Sequence, residues 1–491
     1  MNLKHDLSSE FCPSFIQEIT DDELSVIANA KRFMERYTAD PVFRELVAED
    51  SVAAVSKYEI NINAEEIRPM WDQNISSVRL QELAGHPTME LCRKYNDAMV
   101  GWMKRQRSDD SLSHPKYQAW WQRQVTRNNS EIGAAINSMD IHAPVCIELT
   151  AGCTVGCWFC AISAERYQGA FEYTPENKIL WNDVLEVIRE VIGPAADVGF
   201  CYWATDPFDN PDYEKFIQDY HAVIGSMPAT TTAQAHKDIP RTRQFLKLWE
   251  KHRFSYNQLS ILTVKILDKV HQEFSAEELI WPRLCLLNQG SMVKKAHAGR
   301  ALEKLKKLAA HGEETKEILD ELTQGTIACV SGFLINMVEK KVKLISPCKA
   351  SEQWPDGYKI YDEAIFTSGS DFKHIVEKMI DDNMPMTMRS KDLVRFSRGL
   401  QYKPLVDGFE LSTEFVTQKS QNYGYARQLG DLIDNGSHTV EEIVKQAVSL
   451  GAAEKEILSS IDVMFKNGML DEEQSSEMSN EEQISVSIET K

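Results

Sequence analysis

From about Pro144 onward, short apolar runs alternate with longer amphipathic stretches. The apolar runs read VCIEL, DVGFCYWA, ATTTAQA, QLSILT and RLCLLNQ; between them lie segments such as NKILWNDVLEVIREVIG and DYEKFIQDYHAVIGSM. Runs of strand length separated by helix-length segments predict βα units around a parallel sheet. A later pair, TIACVSGFLINMV and KVKLISPC, reads as two strands joined by a charged turn at Glu339 to Lys341. This core is expected to end near Pro404.

The 491 residues allow two or three domains. The first 140 residues read as short helices: Val26, Ala30, Phe33 and Tyr37 share one stripe, Asp40 followed by Pro41 restarts a helix, and Asn63 with Glu66 has the spacing of a capping box. Three further helices are expected after Ala426, the second capped by Thr439 and Glu442 and the last stopped by Gly468. The final residues are polar and acidic, which predicts disorder. The expected division is a helical region at 1–140, a βα core at 141–404, a small module at 405–471 and a tail at 472–491.

A formal net charge of −20 argues against nucleic acid, whose binding relies on Lys and Arg displacing counterions from phosphates. One basic stretch, KKAHAGRALEKLKK, stands out and reads as a solvated helix face. No apolar run approaches a membrane span, and the N-terminus lacks the basic start, apolar stretch and cleavage site of a secretion signal. A cytoplasmic protein without disulfides is expected.

Directly after VCIELT comes GCTVGCWFCA, which places Cys153, Cys157 and Cys160 in a C-x3-C-x2-C spacing. Gly152 and Gly156 suit a loop folded tightly around something. Structural zinc usually takes four ligands as two separated pairs, and no second pair follows. Three thiolates at this spacing suit a [4Fe-4S] cluster with one iron left open.

The spacing, with Phe159 directly before the last cysteine and the loop following the first strand of a βα series, resembles the radical S-adenosylmethionine (SAM) enzymes. The resemblance implies an α/β fold: a partial (β/α)6 radical SAM barrel with an N-terminal helical region and a C-terminal winged-helix-like module. It implies that the open iron chelates SAM, and that an injected electron cleaves SAM to a 5'-deoxyadenosyl radical. An electron donor such as flavodoxin or ferredoxin is then required. In that family the second strand ends in a Gly-Gly-Glu motif facing the SAM ammonium. Here the position reads CYWATDPFDNPDY, and Asp206 is expected to supply the carboxylate. Thr231 and Thr232 are candidates for the SAM ribose or carboxylate, although β-propensity alone also places threonine there.

After Cys285 only Cys329 and Cys348 remain, too few to ligate auxiliary clusters. An isolated thiol can instead return a hydrogen atom to a carbon radical. Cys348, in LISPCKASEQWPDGY at the end of a strand, is the candidate donor. This segment, with AKRFMERYTADPVFRELVAED, EEIRPMWD and CYWATDPFDNPDY, is similar to the radical SAM epimerases that act on proteusin-type precursor peptides. The similarity implies L-to-D inversion in a ribosomal precursor peptide, leader plus core. It also implies that the small C-terminal module recognises the leader by adding it to a sheet edge. Two alternatives stay open: a cross-link-forming radical SAM maturase, and a non-catalytic leader-binding iron–sulfur protein.

Overall fold

A computed structural model describes residues 18–472, apart from 76–80, 82–84, 107–111, 139, 252–256, 313, 324 and 422–423. Residues 473–491 of the expected tail therefore lie outside the described residues. Two units are distinguished: Met1–Ser111 with Val145–Gln324 and Ile335–Lys340, and Leu112–Pro144 with Gly325–Leu334 and Lys341–Lys491. Among the described residues no helix is long and apolar enough to cross a membrane.

The fold is α/β. The strand Ala143–Glu148, buried along its whole length and in the first unit from Val145 on, begins a row of parallel neighbours. Cys146 bridges to Phe200, Phe200 to Ala229, and the strands Thr231–Thr232, Gln258–Ile261 and Arg283–Leu286 follow in chain order. Helices Pro175–Val191, Tyr213–Ile224, Ile239–Lys251 and Val264–Glu273 carry the chain from each stave to the next. The expected strand in DVGFCYWA is reduced to the bridge at Phe200. Residues Gly193–Val198 coil into a 3-10 turn instead, and a Cβ on Gly199 would fall 2.3 Å from the Tyr220 hydroxyl. Little extended backbone remains to pair.

Helix Asp21–Ala39 starts at a capping box formed by Thr20 and Glu23. Sequence periodicity indicates one buried stripe, but the helix buries two. Ala30 and Phe33 pack with Phe43, Val47 and Trp71, while Leu24, Ile27 and Ala28 pack with Ala276 and Ile280 of the βα body. The predicted restart is present, with the Asp40 carboxylate accepting from the Val42 amide ahead of helix Pro41–Glu49. Asn63 and Glu66 do hydrogen-bond, at 3.1 Å, yet they open a turn rather than a helix.

In the second unit, strands Lys341–Pro347 and Tyr358–Ile365 pair antiparallel from Lys341 opposite Ile365 to Pro347 opposite Tyr358. Helix Pro115–Ile132 is pinned by Tyr117, whose hydroxyl donates to the Pro144 carbonyl at 2.6 Å. Strands Gln401–Leu405, Gly408–Ser412 and Thr417–Gln421 form an antiparallel meander. The meander shares one apolar core with helices Ala426–Asn435, Val440–Ser449 and Glu454–Lys466, and Val394, Phe396 and Met388 join that core from upstream. Thr439 and Glu442 make the predicted capping box, and Gly468 adopts φ +65° just beyond the last helix.

Candidate active site

Strand Thr150–Ala151 pairs antiparallel with Gly169–Ala170 and so closes the base of the cysteine loop. Gly152 sits at φ +74°, and a Cβ there would lie 2.3 Å from the carbonyl oxygen of Arg166. Only glycine fits that position. The Cys153 amide donates to the Glu165 carbonyl at 2.9 Å, which ties the first cysteine to the returning chain. At the far side of the loop the Arg300 amide donates to the Cys160 carbonyl at 3.0 Å. The Arg300 guanidinium reaches the Cys157 carbonyl at 3.2 Å and also the Ala164 carbonyl. Backbone amides serve two of the sulfurs: Val155 donates to Cys153 Sγ at 3.4 Å and Ala164 to Cys160 Sγ at 3.3 Å.

Burial pushes the Cys157 thiol up to about 12, and negative charge on Cys160 and Cys153 adds to the rise while Arg300 opposes it. The Cys153 thiol is pushed up to about 11, mainly by burial and further by Asp206 and Asp209. All three sulfurs are half-buried, and Cys157 feels the charge of the other two. Among the described residues, no three His, Cys, Asp or Glu side chains are grouped as a site for a metal ion.

Asp206 is buried and its carboxylate is fully engaged. Oδ1 accepts from Thr232 Oγ1 at 2.7 Å and from the Phe208 amide at 3.0 Å, and Oδ2 accepts from the Ala233 amide at 2.8 Å. Burial nevertheless raises its pKa above the ordinary carboxylate value. It caps the turn Pro207–Asp209 and fixes Thr232 at the end of its strand. The Thr231 hydroxyl is buried without a hydrogen-bond partner. Phe159 packs edge-on against Trp158 at 5.5 Å, with the Lys295 ammonium 5.5 Å from its ring centre.

Two carboxylates that sequence reasoning passed over complete the arrangement. Asp209 Oδ1 accepts from Thr154 Oγ1 and from Gln234 Nε2, both at 2.6 Å, and Oδ2 accepts from the Thr154 amide at 2.9 Å. It therefore joins the cysteine loop to the end of the Thr231–Thr232 strand. Glu148, on the first strand, accepts from the Ala204 amide at 2.7 Å and from Asn336 Nδ2 at 3.1 Å. The signals were visible: a second Asp three residues after Asp206, and a carboxylate inside an apolar run. Asp206, Asp209 and Thr232 thus meet the start of the cysteine loop at the C-terminal ends of parallel strands, where α/β folds place ligands.

Cys348 belongs to the second unit. It lines a cavity of about 680 Å³ together with Glu131, Lys349, Trp354, Lys359 and Arg398. Its amide donates to the Gly357 carbonyl at 3.0 Å, closing the loop that leads back to Tyr358. Glu131 Oε2 accepts from the Lys349 amide at 3.2 Å, and Glu131 Oε1 accepts from Arg127 at 2.5 Å. Cys348 is itself buried, 2% exposed, as are other thiols of the core. Cys146 donates to the Tyr202 carbonyl, Cys285 donates to Gln258, and burial raises the Cys201 and Cys329 thiols far above their ordinary value.

No family model matches the chain. Over 476 residues it is 34% identical to the uncharacterized protein y4wI of Sinorhizobium fredii, a match spanning 96% of this chain and 92% of that one. Among solved structures, BtrN in complex with AdoMet and 2-DOIA aligns over 41% of this chain and 71% of that chain, at 14% identity and a TM-score of 0.27. That overlap carries no argument about fold or function.

Proposed function

We propose that this chain, which belongs to the family of the Sinorhizobium fredii protein y4wI, is a radical SAM enzyme that inverts selected L-residues of a ribosomal precursor peptide. The observation that carries the reading is the three-cysteine loop at the C-terminal end of the first parallel strand, braced by Asp209 on one side and Arg300 on the other. Cys153, Cys157 and Cys160 would hold a [4Fe-4S] cluster with one iron left for SAM, and the bound pair supplies one-electron cleavage of the sulfonium to a hydrogen-abstracting radical. Asp206 holds Thr232 and the turn after Phe200 in place, and the unpartnered Thr231 hydroxyl is available to SAM. Phe159 contributes an apolar wall beside the last cysteine.

Cys348 supplies the returning hydrogen. Its S–H bond breaks as the new Cα–H bond forms on the substrate, and one electron and one proton from a reductant then restore the thiol. The cavity beside it has the volume of a ligand pocket and suits a peptide segment. The leader peptide would add to strand Thr417–Gln421, an outer strand of the meander with exposed residues.

Anaerobically reconstituted protein, reduced with dithionite, should convert SAM to methionine and 5'-deoxyadenosine. Failure to do so would leave a non-catalytic iron–sulfur protein. A peptide product lighter by hydrogen atoms would instead identify a cross-link-forming maturase.

A further inference from the structure

The basic stretch KKAHAGRALEKLKK lies in a chain of net charge −20, so where it folds matters. It includes most of helix Gly299–Ala310, which is set against the cysteine loop. A Cβ on Gly299 would fall 2.4 Å from the Ala161 carbonyl oxygen, so backbone meets backbone at the start of the helix. Ala301 and Leu305 pack against Trp158 and Phe159, the two residues between Cys157 and Cys160.

Burial of that apolar side leaves Lys304 and Lys307 exposed at i and i+3 on one face, with His311 just past the helix end in line with them; Arg300, one turn earlier, turns its guanidinium into the cysteine loop. The Lys304 ammonium stands 4.4 Å from the centre of the Trp158 ring. Lys304, Lys306 and Lys307 are exposed, and among the described residues none of them is in an ion pair. The helix has one acid, Glu303, against four basic residues. Lys295 is different: it is buried and neutralised by Glu321 at 2.6 Å.

We propose that this helix face is the docking surface for the electron donor, a small acidic flavin-carrying electron-transfer protein whose carboxylates meet Lys304 and Lys307 and whose flavin edge approaches Trp158. The proposal rests on the radical SAM reading above. Electron transfer requires the donor close to the cysteines, and Trp158 adjoins Cys157 on the side that carries uncompensated positive charge. Elsewhere a net charge of −20 repels an acidic partner, so a local basic face selects where it lands. One electron would leave the reduced flavin and reduce the iron–sulfur group that Cys153, Cys157 and Cys160 would hold; no bond of this chain would be made or broken.

Calorimetric titration of the full chain with an acidic flavodoxin tests this without depending on turnover. Binding should weaken at least about tenfold between 50 and 250 mM salt, as screening of an electrostatic interface demands. The K304E/K307E variant should weaken binding at least about tenfold at low salt, whereas K373E/K378E, with the same change in net charge, should bind like the parent. The flavodoxin concentration for half-maximal SAM cleavage should rise in parallel in K304E/K307E, with dithionite-driven cleavage unchanged. Equal binding by the two variants, or no binding by the parent chain, would overturn the proposal. Loss of dithionite-driven cleavage in the parent protein would instead remove the radical SAM reading.

Discussion

Arg127 Nη2 donates to the carbonyl oxygen of Pro347 at 2.7 Å and so holds the peptide group that leads into Cys348. The same nitrogen reaches Ser346 Oγ at 2.9 Å, and Nη1 pairs with Glu131. Two residues flanking the thiol, Pro347 and Lys349, are thereby tied to one helix. Arg127→Lys keeps the charge and loses the fork. It is expected to lower the rate of D-residue formation about 10²-fold while SAM cleavage persists, because a misplaced donor costs rate without blocking radical formation. Chiral amino-acid analysis beside a 5'-deoxyadenosine assay checks the split. A thermal melt, and Glu131→Gln as a milder variant, separate misplacement from unfolding.

Gly152→Ala should release the cysteine loop. The substitution imposes positive φ on a residue with a Cβ, costing about 1 kcal/mol, and also drives that carbon into the Arg166 carbonyl. Iron content after reconstitution should fall well below that of the parent at nearly unchanged secondary structure. Gly156→Ala, which meets no atom within 4 Å, should lose less.

His271 makes stability depend on pH. Its ring is buried, and burial pushes the pKa down to about 4 despite the Glu35 carboxylate 3.4 Å from Nε2. The unfolded chain protonates this histidine near 6.5, so between pH 6.5 and 4 the unfolded state binds more protons and stability falls as pH falls. Lowering pH from 7 to 5 should cost about 2 kcal/mol from this group. Urea unfolding at pH 5, 6 and 7 reads the slope, and His271→Leu should flatten it.

Local signals in the sequence survived into the structure where short-range geometry decides them. The capping box of Thr439 and Glu442, the Asp40–Pro41 restart and the glycines of the cysteine loop each depend on atoms within a few residues. Long-range packing decided the rest. Tyr220 and the 3-10 turn shorten the expected second strand, and helix Asp21–Ala39 gains a second buried face from Ala276 and Ile280, far along the chain. Asp206 was legible as a carboxylate near the site, but its use as a cap and as the partner of Thr232 was not. Arg127 gave no signal, since its bonds to Ser346 and Pro347 span 219 and 220 residues. The solvated-helix reading of the basic stretch omitted the packing of that helix on Trp158.

Deuterium uptake during peptide maturation in D2O addresses hydrogen return by Cys348 most directly, because an exchangeable thiol would carry a solvent deuteron. The parent enzyme is expected to leave one deuterium on every inverted α-carbon, and Cys348→Ala is expected to cleave SAM yet yield an all-L peptide. D-residues without solvent deuterium, or normal inversion by Cys348→Ala, would contradict the account.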